Sequence, residues 1–321
     1  MLTPKENMIK MLNHEIPEYV PYQPEAFQMI RANALHEKPL GYVTGYDWFG
    51  VHWTCEDGLA VPTAGREPVL EDICDWREKV KFPDLDNWDW EKYAVEDTKN
   101  RDPEKLTFII MPTGPFERLH ALMGFENALC ALMTDPEECG EFFSAVCDFK
   151  IKQLYYLKKY YYVDIVHFHD DWGQQRDMFF SPEIWREYIK PHILRVIEAA
   201  HKLDIYFIMH SCGKIDRIAA EVADMGIDVL DPCQPVNDLA SWKRDFGNKC
   251  AFMGGIDAQN IVDNEHVSEE EIRKEVRTKI DLLAPGGGYI PFAVSMSPRN
   301  AIALDEIKNY GATFYQRAAQ Q

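Results

Sequence analysis

The stretch Ile205-Tyr-Phe-Ile-Met-His-Ser-Cys-Gly213 is a short apolar run that stops abruptly at two soft-metal ligand types and a glycine. It is too short for a helix and reads as a strand. Side chains alternate faces along a strand, so His210 and Cys212, two apart, point the same way and can reach one ion. The run therefore predicts a strand with a candidate zinc site at its C-terminal end.

Outward from this stretch the same pattern recurs. Leu106-Thr-Phe-Ile-Ile-Met-Pro-Thr-Gly114 and Val163-Asp-Ile-Val-His-Phe-His-Asp-Asp-Trp-Gly173 are apolar runs ending in polar or glycine residues, and further strand-like runs end near Gln234, Gly255 and Val294. Helical patterns separate them. One begins at Pro115, one runs from the Thr134-Asp-Pro-Glu-Glu cap to about Tyr160, and others cover 216–225 and 268–283. Ser181-Pro-Glu-Ile-Trp is another helix start, with proline just inside it. Alternating strands and helices predict a parallel sheet with crossover helices, closed as an eight-stranded (β/α)8 TIM-type barrel, with about seven strands placed individually. In such barrels the active site lies at the C-terminal strand ends, where every polar cluster here falls.

The N-terminal part is less regular. A helix over 3–13 precedes the proline-rich Tyr19-Val-Pro-Tyr-Gln-Pro24, read as the first strand. From Gly41 to Lys92, Gly, Pro, Trp and acidic residues mix without helical period, which predicts a loop-rich insertion or small hairpin around Trp48-Phe-Gly-Val-His-Trp53. The expected organisation is one barrel domain over 1–321 carrying this insertion.

Composition narrows the function. The chain has 321 residues, 34 Lys plus Arg and 53 Asp plus Glu, for a net charge of −19. A surface that acidic repels phosphate backbones and anionic lipid, which argues against nucleic-acid and membrane partners. No basic leader and no bilayer-length apolar segment are present, so a cytoplasmic location is expected. Most of the 8 cysteines, in a large chain without an export signal, are expected to be reduced.

Cys233 ends the next strand-like run, Ile227-Asp-Val-Leu-Asp-Pro-Cys233, and neighbouring strand ends lie side by side. His210, Cys212 and Cys233 would give one nitrogen and two thiolates with an open fourth position, the catalytic rather than the structural zinc arrangement. The alternative is a core histidine and a buried small cysteine. His169, Asp170 and Asp171 are the candidate acid-base groups; the alternative for Asp171 is that it caps the following turn. Trp172, Gly254, Asp257, Tyr46 and Trp48 are candidate substrate contacts, although the aromatic residues of the insertion could also form its core. Neither Gly254-Gly-Ile-Asp257 nor Ala284-Pro-Gly-Gly-Gly-Tyr289 has nucleotide-binding spacing.

Taken in order, Gly114-Pro-Phe-Glu117, Asp170-Asp-Trp-Gly173, Ser181-Pro-Glu-Ile-Trp, His210-Ser-Cys-Gly213, Asp228-Val-Leu-Asp-Pro-Cys-Gln-Pro235, Gly254-Gly-Ile-Asp257 and Leu283-Ala-Pro-Gly-Gly-Gly-Tyr-Ile290 resemble the uroporphyrinogen decarboxylase superfamily, in particular its corrinoid-dependent methyltransferase branch. The resemblance implies a distorted eight-stranded barrel. It also implies a zinc motif beginning His-x-Cys, which maps onto His210 and Cys212. The third ligand of the thiol-methylating members, a cysteine in the last Gly-rich strand region, has no counterpart in Pro291-Phe-Ala-Val-Ser-Met-Ser-Pro298. Cys233 is the expected replacement, as in the similar site of cobalamin-independent methionine synthase. The arginines with which the decarboxylase proper grips its porphyrinogen are missing from Tyr19 to Phe27.

The resemblance thus implies a zinc-dependent methyltransferase. It would move a methyl group between a small O-, N- or S-methyl substrate and the corrinoid of a partner protein, with the demethylating direction slightly favoured. A metal-free decarboxylase or lyase and a catalytically silent binding paralogue are the alternatives, and a homodimer is compatible with the sequence.

Overall fold

The computed structural model describes residues 2–39, 43–56 and 59–318. Seven strands form one curled sheet: β1 (Phe27–Met29), β5 (Leu106–Met111), β6 (Ile165–His169), β7 (Tyr206–His210), β8 (Val229–Asp231), β9 (Ala251–Gly255) and β10 (Tyr289–Phe292). They are hydrogen-bonded in that order and every pair is parallel. Helices connect them, giving a TIM-barrel-like architecture. The sheet has seven strands among the described residues rather than the expected eight. Tyr19 to Pro24 is not a strand: Pro21 and Pro24 lack the N–H a ladder needs, and Pro24 opens the helical turn Gln23–Ala26, after which the short β1 begins. That turn packs against β10 and bridges the two ends of the sheet.

Strand alternation sorts the core into two layers. Phe108, Ile165, Ile208, Val229, Met253 and Ile290 point into the barrel, where helix Pro4–Leu12 plugs the lower end with Met8, Met11 and Leu12. Each of these buried side chains is worth about 2 kcal/mol of burial. Ile109, Val166, Phe168, Phe207, Met209, Leu230 and Phe252 face outward against the helices. Helix starts follow the local chemistry. Thr3 with Glu6 and Ser268 with Glu271 make reciprocal capping boxes, and Ser181 Oγ accepts from Ile184 N–H. At Asp135, the residue before helix Pro136–Tyr156, no side-chain cap forms, because its carboxylate takes the Thr134 hydroxyl instead.

Within the insertion, β2 (Gly45–Tyr46), β3 (His52–Glu56) and β4 (Leu59–Pro62) form a separate antiparallel sheet. The expected turn at Trp48 is present, and Asp47 closes it by accepting the Phe49 and Val51 N–H groups. Gly41 and Tyr42, the start of the expected insertion, lie outside the described residues. A buried ionic group ties the insertion to the barrel. Arg118 bonds Asp47 at 2.6 Å and the Glu37 carbonyl at 2.7 Å, and Lys150 bonds Glu37 at 2.5 Å. Cys74, Cys130, Cys139, Cys147, Cys212, Cys233 and Cys250 are free thiols. Among the described residues no helix is long and apolar enough to cross a membrane.

Candidate metal centre

The inward parity that buries Ile165 and Ile208 also sends His167, His169, His210 and Asp231 into the barrel. Register sets His169 beside His210 and His210 beside Asp231, at one height on three adjacent strands. The rings of His169 and His210 stack with centroids 4.0 Å apart. Past the strand ends, Asp171 and Cys212 close over the same point. Asp171 Oδ1 accepts the Cys212 N–H at 2.7 Å and lies 3.6 Å from His210 Nε2, and Cys212 Sγ is 3.4 Å from that nitrogen. Asp171, His210 and Cys212 each offer a ligand atom within 4.8 Å of the others, and so do His167, His169 and His210.

Asp231 orders the imidazoles. It is 2% exposed, and its Oδ2 accepts from His210 Nδ1 at 2.5 Å and from His167 Nε2 at 2.8 Å. Burial alone would keep this carboxyl protonated, but the two imidazoles overcome it and hold it at about 2. Its acceptor-only carboxylate fixes the proton on Nδ1 of His210 and leaves Nε2 directed at Asp171 and Cys212. This is the carboxylate-histidine arrangement that orients a metal-ligating ring. Burial resists charge on His210, yet Asp231 and the Cys212 contact push its pKa well above the usual imidazole value. Burial, with His210 and His167 beside it, holds His169 well below that value. His169 Nε2 is 3.2 Å from His167 Nδ1. With His167 donating through Nε2, its Nδ1 is the acceptor, so His169 donates.

The donor set of one imidazole, one thiol and one carboxylate, with the imidazole pre-oriented, fits zinc. The expected third ligand is not brought to it. β8 stops at Asp231, so the alternation that would carry Cys233 to the inner face ends two residues early. Cys233 takes a left-handed backbone (φ 45) and its thiol donates to the Leu230 carbonyl at 3.1 Å. Asp171 stands where Cys233 was expected.

The other expected site residues separate clearly. Asp170 follows β6 on the opposite parity from His169 and is fully buried. Its Oδ1 accepts the Glu117 N–H at 2.9 Å and its Oδ2 the Trp172 indole N–H at 2.7 Å. With both oxygens so occupied it fixes a helix start and is not an accessible acid. Trp172 is 0% exposed and packs edge-on to Trp185, so it is core rather than a substrate contact. Gly254 (φ 108) is needed for packing within the sheet, since a Cβ there would lie 1.7 Å from the Pro232 carbonyl oxygen. Asp257 caps the turn Ala258–Val262 and lines a small cavity with Gln234 and Asn260. Trp48 stacks on His36 within the insertion core. Tyr46 is exposed and lines a groove of about 840 Å³ with His52, Arg66 and His120. That groove is not lined by the metal-ligand group, so donor chemistry rather than cavity size locates the centre.

Two residues of the centre were missed among the site expectations. His167 and Asp231 were legible from parity, each two positions or one register step from a residue already singled out.

A family profile described as Uroporphyrinogen decarboxylase (URO-D) matches residues 42–299. The chain is 24% identical over 113 residues to the methylcobamide:CoM methyltransferase MtaA of Methanosarcina barkeri, 35% of this chain and 32% of that protein. It is 27% identical over 114 residues to uroporphyrinogen decarboxylase 1, chloroplastic, of Oryza sativa subsp. japonica, covering 34% and 26% respectively. The match thus spans about a third or less of these relatives' own length. The fold of a methyltransferase from Methanosarcina mazei superposes with a TM-score of 0.73 over 98% of this chain and 100% of that one, at 14% identity. The family profile covers most of the chain, barrel and centre included, and the chain belongs to the uroporphyrinogen decarboxylase (URO-D) family.

Proposed function

We propose that this protein is a zinc-dependent methyltransferase that moves a methyl group between a small methylated substrate and the corrinoid of a partner protein, with demethylation the favoured direction. The observation that carries the reading is the convergence of Asp171, His210 and Cys212, with His210 held by Asp231. The family's methyltransferase relatives support it. Zinc bound by these three residues would polarise the substrate heteroatom as a Lewis acid. The chain's own residues do the rest. Asp231 orients His210, and the His167–His169 pair fills the barrel beneath the centre. Asp170 and the N-terminus of helix Pro115–Met123 form its wall. The strand-end mouth is where the corrinoid of a partner would approach.

The test is zinc content and corrinoid turnover. Purified protein is expected to hold about one zinc per chain, as a catalytic three-ligand site requires. With cob(I)alamin and a panel of methyl ethers, amines and thioethers, the visible spectrum is expected to report methylation of the corrinoid. His210→Ala and Cys212→Ser should each lose both zinc and turnover with unchanged circular dichroism. If both variants keep full zinc, the centre is misassigned. Zinc with no corrinoid turnover on any probe would refute the methyl-transfer reading while leaving the metal site standing.

A further inference from the structure

The metal-ligand group lies at the C-terminal ends of β6, β7 and β8, and the same end of β8, β9 and β10 holds a cavity of about 210 Å³. Two contacts join that cavity to the loops that carry the ligands. Gln234 Oε1 accepts the N–H of Gly213, the residue after Cys212. Gln175, in the loop that follows Asp171, donates from Nε2 to Gln259 Oε1 at 3.0 Å. Pro232, part of the wall, directly follows Asp231. The cavity is therefore the next compartment along the strand ends from the metal centre.

Its chemistry is one-sided. Ile256, Phe292 and Val294 give apolar wall, and Phe292 has the same inward parity as Ile290. Asp257 is the one acidic or basic side chain among the described residues that line it; no lysine or arginine does. Asp257 Oδ1 accepts the Asn260 N–H at 2.9 Å and Oδ2 accepts from Asn260 Nδ2 at 3.0 Å. A carboxylate has about four lone-pair sites, so acceptor capacity remains on both oxygens. The amides of Gln234 and Gln259 add neutral donors, which solvate an oxygen but do not cancel the charge of Asp257. An anionic group entering this space loses water beside a like charge with no cation to replace it, whereas an ammonium gains a partner. The net charge of −19 acts in the same sense, drawing cations to the protein.

We propose that this cavity is the specificity subsite of the methyl transfer and takes a primary ammonium group carried on the substrate a few atoms from its methylated heteroatom. The inference rests on the function proposed above and names its substrate class, a small methyl thioether or ether that bears an amine. The ammonium donates to Asp257, the hydrocarbon chain lies against Phe292 and Val294, and the heteroatom is left towards the metal-ligand group.

Three probes that differ only at the far end test this: 3-(methylthio)propylamine, 3-(methylthio)propan-1-ol and 3-(methylthio)propanoate, each with zinc-loaded full-length protein and cob(I)alamin. In the wild type, kcat/KM for the amine should exceed that for the propanoate by about 10-fold, the scale of attraction and repulsion by one partly exposed charge, with the alcohol between them. Asparagine caps a helical turn as well as aspartate does, so Asp257→Asn should keep the thermal midpoint while the preference collapses. Gln259→Lys, at an exposed position, should turn the preference towards the propanoate. Equal kcat/KM for amine and propanoate in the wild type, or a preference unchanged in both variants, overturns the subsite. Saturation-transfer NMR of the amine and the propanoate on metal-free protein reads binding separately, and the amine signal should be strong in the wild type and lost in Asp257→Asn. That binding pattern without turnover of any probe overturns the methyl-transfer reading and leaves the subsite standing. Turnover without selective binding of the amine does the reverse.

Discussion

Asp231→Asn is the sharpest perturbation of the centre, because one buried oxygen of Asp231 serves two imidazoles. In the wild type Oδ2 takes the N–H groups of His210 and His167 at 2.5 and 2.8 Å, and Oδ1 has no partner among the described residues. Asparagine retains one acceptor oxygen but removes the charge. Each bond then drops from the charged class, roughly 1.5–3 kcal/mol, towards about 1 kcal/mol. The new amide N–H groups must sit where Oδ1 was, with nothing to receive them. Together these effects cost the metal-free protein about 2–4 kcal/mol.

Zinc affinity should fall by about 10–100-fold, the usual consequence of losing a carboxylate behind a ligating histidine. The pH dependence has a definite sign. The folded pKa of Asp231, about 2, lies below its ordinary value of 3.8, so the stability it contributes is present above the unfolded value and lost as pH falls towards 2. That contribution is about 2 kcal/mol. The elevation of His210 is the same interaction seen from the other partner and is not added to it. Urea unfolding of metal-free protein should therefore show a gap between wild type and variant at neutral pH that narrows below about pH 4. Chelator competition reads the zinc affinity. A variant that binds zinc as tightly as wild type would refute the role given to Asp231.

Cys233→Ala should leave zinc stoichiometry and affinity intact while costing about 1–2 kcal/mol of stability for the lost burial; zinc loss would return Cys233 to the ligand set. Zinc binding near pH 7 should release about two protons, since burial raises the Cys212 thiol and Asp231 raises His210 so that both are protonated without metal. Calorimetry in buffers of different ionisation enthalpy counts them, and a release near zero contradicts the ligand assignment. Gly114→Ala places a Cβ 2.6 Å from Asp170 Cβ and 2.7 Å from the His169 carbonyl, so thermal unfolding should shift down by the equivalent of about 1–3 kcal/mol. An unchanged midpoint would mean the wall at Asp170 yields. Lys150→Met leaves Glu37 charged and buried, and urea unfolding should show a loss of about 3–5 kcal/mol; a loss within error would mean Arg118 alone neutralises Glu37.

Much of the architecture was legible because it depends on local patterns. The apolar runs at 106–111, 165–169 and 205–210 carry their own strand signal, and Thr3, Ser181 and Ser268 mark helix starts through side-chain caps that need no tertiary partner. The reading failed where a local rule ended early. The run toward Gln234 is a strand only to Asp231, and that difference exchanges Cys233 for Asp231 on the inner face. Tyr19 to Pro24 has a strand-like composition but its prolines remove the donors of a ladder.

The sequence by itself determined the parallel barrel, the position of His210 and Cys212 at a strand end, and the insertion hairpin, because periodicity and turn chemistry act over a few residues. Only the tertiary structure decided which distant groups share a point in space. Register across β6, β7 and β8 sets His167 and His210 on Asp231, and the turn after β6 sends Asp170 into the wall and Asp171 to the metal-ligand group. The buried Glu37–Arg118–Lys150 contacts, drawn from three separate segments, tie the insertion to the barrel. A carboxylate's role depends on whether its oxygens are sealed, shared or open, and that is a property of packing between segments far apart in the chain.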